Sequence, residues 1–123
     1  MKHAHIYFDN DSRERARQVR QALQSLPWVL YVGQLRDMKL GPHPQAQFEI
    51  HFMDEQEAAV LYDLERLRLD LSVLVHALSD DDIGDHTERA RWLGKVLSLD
   101  LTKLDPPGKN KALLRFAERS VDP

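Results

Sequence analysis

The sequence predicts an α+β fold in which a four-stranded sheet carries two helices on one face. Three observations lead there. Segments at residues 3–8, 47–52 and 71–78 are short and rich in β-branched or aromatic residues, and the first two alternate polar with apolar as half-buried strands do. Residues 12–26 and 54–67 carry apolar side chains at the spacing of amphipathic helices. Asp11 with Glu14, and Asp54 with Glu57, form the capping-box pattern where each helix should begin.

Composition narrows the possibilities further. A chain of 123 residues holds one core, with 42% apolar content and a formal net charge of -3. No global positive field exists to hold a nucleic acid or an anionic membrane surface. The longest apolar run, Leu71 to Leu78, is too short to span a bilayer. The N-terminus lacks an export signal, so a cytoplasmic location is expected. With no cysteine, any metal must be held by histidine and carboxylate, a donor set suited to iron, manganese or zinc.

Taken in order, the first strand places His3, His5 and Tyr7 on one face and Ala4, Ile6 and Phe8 on the other. Asp9-Asn10-Asp11-Ser12 breaks it, and Ala16, Val19, Leu23 and Leu26 mark a helix that Pro27 ends. Trp28 to Leu35 reads as a second strand, with Gly33 at a bulge. In Gly41-Pro42-His43-Pro44 the flanking prolines restrict the backbone, so His43 is presented from a stiff turn. The third strand turns Phe48, Ile50 and Phe52 to the core, leaving Gln47, Glu49 and His51 opposite. A second helix follows, with Ala58, Leu61 and Leu64 inward, and the fourth strand delivers His76.

An acidic loop then leads to a short helix beginning at Asp85 and an extended piece around residues 97–101. The breaker cluster Asp105-Pro106-Pro107-Gly108 separates a domain of residues 1–104 from a tail of 105–123, where Leu113, Leu114 and Phe116 suggest a short docked helix.

The order strand, helix, strand, strand, helix, strand is that of a ferredoxin-like unit. With the first and third strands as parallel neighbours and the fourth antiparallel beside the first, His3, His5, His43, His76 and His86 gather on one edge. His51 lies farther along the third strand, outside the ligand shell. On patterning alone, a metal site and a set of structural or surface histidines both remain open.

Several blocks together resemble the DOPA 4,5-dioxygenase family: His3-x-His5-Ile6-Tyr7-Phe8-Asp9, Gly41-Pro42-His43-Pro44, Leu71 to His76, Asp85-His86-Thr87 through Trp92-Leu93-Gly94, and Leu99-Asp100-Leu101. The likeness runs from His3 to about Leu104. The chain departs from the family in Ala77, where proline is usual, and in its Ser79-Asp80-Asp81 loop.

The resemblance implies a ferredoxin-like fold and extradiol opening of a catechol ring with Fe(II) and O2. It assigns His5, His43 and His76 as metal ligands, with His3 or Glu49 able to replace one of them. His86, oriented by Asp85, is the proton-transfer group, and His3, Tyr7 and Glu49 surround the ligands or substrate. A homodimer would enclose the open sheet face. The competing expectation is a non-catalytic, dimeric small-ligand-binding module of the same fold. RNA binding is disfavoured, since the first and third strands lack the paired aromatic and basic pattern it needs.

Overall fold

Alternation along the long strands decides which side of the sheet becomes the core. The computed structural model describes residues 1–113. In chain order the elements are β1 (Lys2–Phe8), α1 (Arg13–Gln24), β2 (Tyr31–Val32), β3 (Ala46–Phe52), α2 (Glu57–Leu67), β4 (Val73–Ala77), α3 (Asp82–His86) and β5 (Arg91–Leu93). Single 3-10 turns precede α2 at Asp54–Gln56 and follow β5 at Leu101–Lys103. The architecture is α+β, with a five-stranded sheet in the order β2-β3-β1-β4-β5 and every pairing antiparallel.

Both long helices cover one face. Ala4, Ile6 and Phe8 of β1, Phe48, Ile50 and Phe52 of β3, and Val73 and Val75 of β4 pack with Ala16, Val19 and Leu23 of α1 and with Val60 and Leu64 of α2. The alternate residues of the same strands therefore project from the other side of the sheet: His3, His5 and Tyr7; Gln47, Glu49 and His51; Leu74 and His76.

Strand direction corrects one expectation. β1 and β3 are antiparallel, with His3 opposite His51 and His5 opposite Glu49. The cause is connectivity. Crossover through α1 returns the chain so that β2 runs with β1, and β3 then turns back between them, antiparallel to both. The start of β1 thus meets the end of β3, and the His43 turn lies toward the far end of β1. The histidines spread along the sheet face rather than collecting on one edge.

Other differences are local. Of the strand expected over residues 28–35, only Tyr31–Val32 pairs regularly, and an isolated bridge joins Arg36 to Gln47. Neither expected capping box forms. α1 begins after Ser12, whose N–H and hydroxyl donate to Asp9 Oδ1 at 2.9 Å each, while Asp54 opens a 3-10 turn and accepts from the N-terminal ammonium at 2.9 Å. The short helix starts at Asp82, with Asp81 as its cap, so His86 ends it. Residues 97–101 are not a strand, whereas β5 extends the sheet beyond β4. Residues 111–113 are helical, and the expected contributions of Leu114 and Phe116 lie outside the described residues.

Phe48 of β3 is fully buried in the core that the sheet forms with both helices. Phe48→Ala should destabilise the protein by about 3–5 kcal/mol, the cost of lost transfer energy and the cavity left behind. Urea denaturation reads this as a lower midpoint with an unchanged slope.

Candidate metal centre

All six histidines are buried, none more than 9% exposed, and all six line a single cavity of about 300 Å³ on the sheet face away from the helices. Buried imidazoles without compensation are costly, so their hydrogen bonds carry most of the information about the site. β1 supplies His3 and His5, β3 supplies His51, β4 supplies His76, and α3 supplies His86. His43 comes from the Gly41-Pro42-His43-Pro44 turn. There Gly41 adopts a left-handed φ of 54°, the His43 N–H donates to the Leu40 carbonyl at 3.1 Å, and the Pro42 carbonyl accepts from the Asp100 N–H at 2.9 Å.

Two of these rings define the centre. His5 Nε2 and His76 Nε2 stand 3.0 Å apart. On the far side of each ring an acceptor is already present: Gln47 Oε1 lies 3.0 Å from His5 Nδ1, and the Ala77 carbonyl lies 2.8 Å from His76 Nδ1. An imidazole that donates through Nδ1 carries its lone pair on Nε2 when neutral. Both facing nitrogens are then acceptors, a repulsive pair that a cation between them would relieve. This second-sphere arrangement is the one that orients histidine ligands to a metal.

His3 completes a compact donor group: His3, His5 and His76 each offer a nitrogen, and these atoms lie within 4.8 Å of one another. A second group, His3, Glu49 and His51, meets the same criterion and shares His3 with the first. Glu49 Oε2 accepts from His51 Nε2 at 3.1 Å and lies 3.6 Å from His3 Nδ1, and the His3 and His51 rings stack with centroids 3.8 Å apart.

The remaining expected residues take distinct places. The His43 ring is 4.2 Å from that of His5, with its Nδ1 bonded to the Tyr7 hydroxyl at 2.7 Å. Tyr7 also stacks on Trp92 of β5 at 5.8 Å. His86 lies against His76, ring centroids 4.0 Å apart, and its Nδ1 donates to the Asp82 carbonyl at 2.7 Å, with Asp82 Oδ1 at 3.3 Å. The expectation that Asp85 orients His86 is therefore corrected. Asp85 is buried in its own loop, where its carboxylate accepts from the Ser79 N–H and hydroxyl at 2.8 Å each and approaches Arg89 Nη2 at 3.3 Å.

Sequence reasoning missed His51, Gln47 and Asp82. Alternation already put His51 on the histidine face, and antiparallel pairing would have set it beside His3. The segment set apart as a tail also reaches the site. Asp105 N–H donates to Asp82 Oδ2 at 2.9 Å, Asn110 Nδ2 donates to the Ser79 carbonyl at 2.7 Å, and both residues line the cavity.

Burial keeps His3, His5, His43 and His76 neutral. It holds His3 down to about 3 and His43 down to about 2, with the neighbouring imidazoles adding to the effect. His5 and His76 are lowered by burial as well. Burial pushes Glu49 up, but the His51 hydrogen bond and the nearby imidazoles win and hold it down at about 2. Tyr7 is raised by burial and stays protonated. Neutral imidazoles beside an ionised carboxylate are the protonation states that metal binding requires.

Comparison with known proteins identifies the family. The model of the Dopa 4,5-dioxygenase family matches residues 3–103. An uncharacterised 21.2 kDa protein of Botryotinia fuckeliana is 34% identical over 119 residues, covering 88% of this chain and 65% of that protein. A DOPA 4,5-dioxygenase of Amanita muscaria is 31% identical over 110 residues, covering 83% of this chain and 48% of that enzyme. This chain thus spans about two thirds and about half of the lengths of these relatives. The crystal structure of a candidate dioxygenase from Nostoc punctiforme superposes with a TM-score of 0.78 at 36% identity, covering 82% of this chain and 87% of that one. Among the described residues no helix is long and apolar enough to cross a membrane.

The neutral cluster makes stability depend on pH. Each lowered histidine would titrate near 6.5 once unfolded, so below that value the unfolded chain takes up more protons than the folded one. Stability of the metal-free protein should fall as pH drops from 6.5 toward about 3, with Glu49 adding to the loss between 4.5 and about 2. Urea midpoints measured between about pH 7.5 and about pH 4.5 check this, and a flat profile would contradict the neutral assignment. By its family, its fold and the histidine cluster on its sheet, the chain belongs to the Dopa 4,5-dioxygenase family.

Proposed function

We propose that the protein is an extradiol dioxygenase that opens a catechol ring using Fe(II) and O2. The observation that carries this reading is the pair of facing Nε2 atoms on His5 and His76, 3.0 Å apart with each Nδ1 beside an acceptor. Three imidazoles with a carboxylate nearby suit a non-haem iron that keeps positions open for ligands. His5, His76 and His3 are the ligands in this reading, and Glu49 holds His3 from behind. His43, a ligand by the family resemblance, is in this reading a neighbour of the ligands, its ring 4.2 Å from that of His5 and its Nδ1 bonded to Tyr7. The strand order supports reading β1 to β4 with their two helices as a ferredoxin-like unit that β5 extends.

Bound Fe(II) would supply one centre at which both catechol oxygens and O2 meet and exchange electrons. The side chains have separate tasks. Gln47 and the Ala77 carbonyl hold the two facing rings in the required tautomer. His86, donating through Nδ1 to Asp82, can accept a catechol hydroxyl proton at Nε2 and return it as the ring opens. With the Tyr7 hydroxyl donating to its Nδ1, His43 offers a second N–H, on Nε2, among the residues that line the cavity. Both atoms of O2 enter the product as the carbon–carbon bond beside the two hydroxyls breaks, so no external reductant is needed. Exposed Leu30, Tyr31 and Met53 near the β2–β3 edge support association with a second copy, which analytical ultracentrifugation tests.

Anaerobic loading with Fe(II), followed by oxygen uptake and absorbance scanning over a panel of catechols, tests the reading. His5→Ala and His76→Ala should lose bound iron and ring opening together. His86→Ala should keep its iron and lose about 10²- to 10⁴-fold in turnover. His43→Ala should retain iron if His3 is the third ligand. Full iron occupancy without oxygen uptake across the panel would instead favour a binding module.

A further inference from the structure

The edge of the sheet contains a register slip with a consequence for the site. Val32 pairs with Ile50 in the regular ladder, and the next bridge joins Arg36 to Gln47. Three steps along β3 thus face four along the edge segment, a bulge of one residue on the edge side. Unbroken pairing would have put Leu35 opposite Gln47. Instead Leu35 packs against the core and Arg36 takes the position opposite Gln47, held by backbone hydrogen bonds of 2.9 and 3.1 Å. Cross-strand partners share a face, so Arg36 is delivered to the histidine side, opposite the very glutamine that holds His5.

Its guanidinium is also available. Arg13, Arg15, Arg17, Arg66, Arg68 and Arg89 pair with carboxylates, and Arg20 donates to the Gly33 carbonyl. Among the described residues this leaves Arg36 and Arg91 without a side-chain partner. Arg91 lies opposite Val75, on the helix-covered face. Arg36 lines a second cavity of about 220 Å³, which reaches the metal centre from the β2 side and shares His5, His43 and Glu49 with the first. Glu49 is the acidic group lining this lobe, and its carboxylate is already engaged by His51 and His3.

We propose that this second lobe binds the carboxylate-bearing side chain of an aromatic acid, with Arg36 as its anchor while the ring lies against the histidines. A guanidinium fork matches a carboxylate in two parallel hydrogen bonds, which an ammonium cannot reproduce. The site then selects ring compounds that carry a carboxylate over neutral or cationic ones. This rests on the catechol reading for the identity of the ring, but the anchor itself can be measured without turnover.

Calorimetry with 3-phenylpropionate and 3-phenylpropanol, on the protein with and without iron, isolates the anchor. The acid should bind at least about tenfold more tightly than the alcohol, the scale of a charge-assisted hydrogen bond. Arg36→Gln should abolish this preference, Arg36→Lys should restore only part of it, and Arg91→Gln should leave it intact. Oxygen uptake with 3,4-dihydroxyphenylpropionate and 4-methylcatechol runs alongside. No preference for the acid in the wild type, or a preference that survives Arg36→Gln, would overturn the proposal. If 4-methylcatechol is opened but the acid gains nothing, the anchor fails and the ring-opening reading stands. If the Arg36-dependent preference is present but neither catechol is opened, the anchor stands and the ring-opening reading fails.

Discussion

Antiparallel pairing of β1 with both of its neighbours is the constraint on which the rest of the molecule depends. It places residues of three strands in lateral rows, so that His3 lies between His51 and His76, and His5 between Glu49 and Leu74. A period of two then sends every one of these side chains to the same face while the intervening residues build the hydrophobic core. One backbone pattern specifies both the core and the site, and slipping any of these strands by a single residue would exchange them.

The electrostatic character of the cluster follows from the same arrangement. Packing several imidazoles together on helix-backed strands removes them from water and sets each one close to its neighbours, so that burial first and mutual repulsion second keep them uncharged. Their outer nitrogens are satisfied by Gln47, Ala77 and Asp82, groups belonging to strands or to the short helix beside them. The inner nitrogens of His5 and His76, which face each other, both carry lone pairs because those outer partners fix the tautomer. Geometry that is unfavourable for the bare rings is favourable once a cation sits between them, so the site and the ion it would hold are complementary.

Much of this was legible in the sequence, for physical reasons that can be named. Strong alternation in His3 to Phe8 and Gln47 to Phe52 specified the two faces, and the flanking prolines marked His43 as a presented residue. The antiparallel sense of β1 and β3 was not legible from alternation, because period two is the same in either direction; it is decided by the crossover through α1. That one difference hid the role of His51. The role of Asp85 was misread because adjacency in sequence suggested a pair, whereas one turn of α3 carries His86 back to the Asp82 carbonyl and leaves Asp85 facing Ser79. Trp92 sits on a three-residue strand, too short for any periodicity to register.

The bonds from Asp105 to Asp82 and from Asn110 to Ser79 fasten a piece of chain that lies beyond the family-matched region onto α3, which carries His86, and onto the loop before it. The cavity therefore has walls of two origins: a floor of strands that fixes the chemistry, and a flank contributed by a separate, sequence-distant strap. Substitutions in that strap could reshape what enters the cavity without disturbing a single ring nitrogen on the floor, which gives such a scaffold a route to new substrates at little cost to its reactive centre.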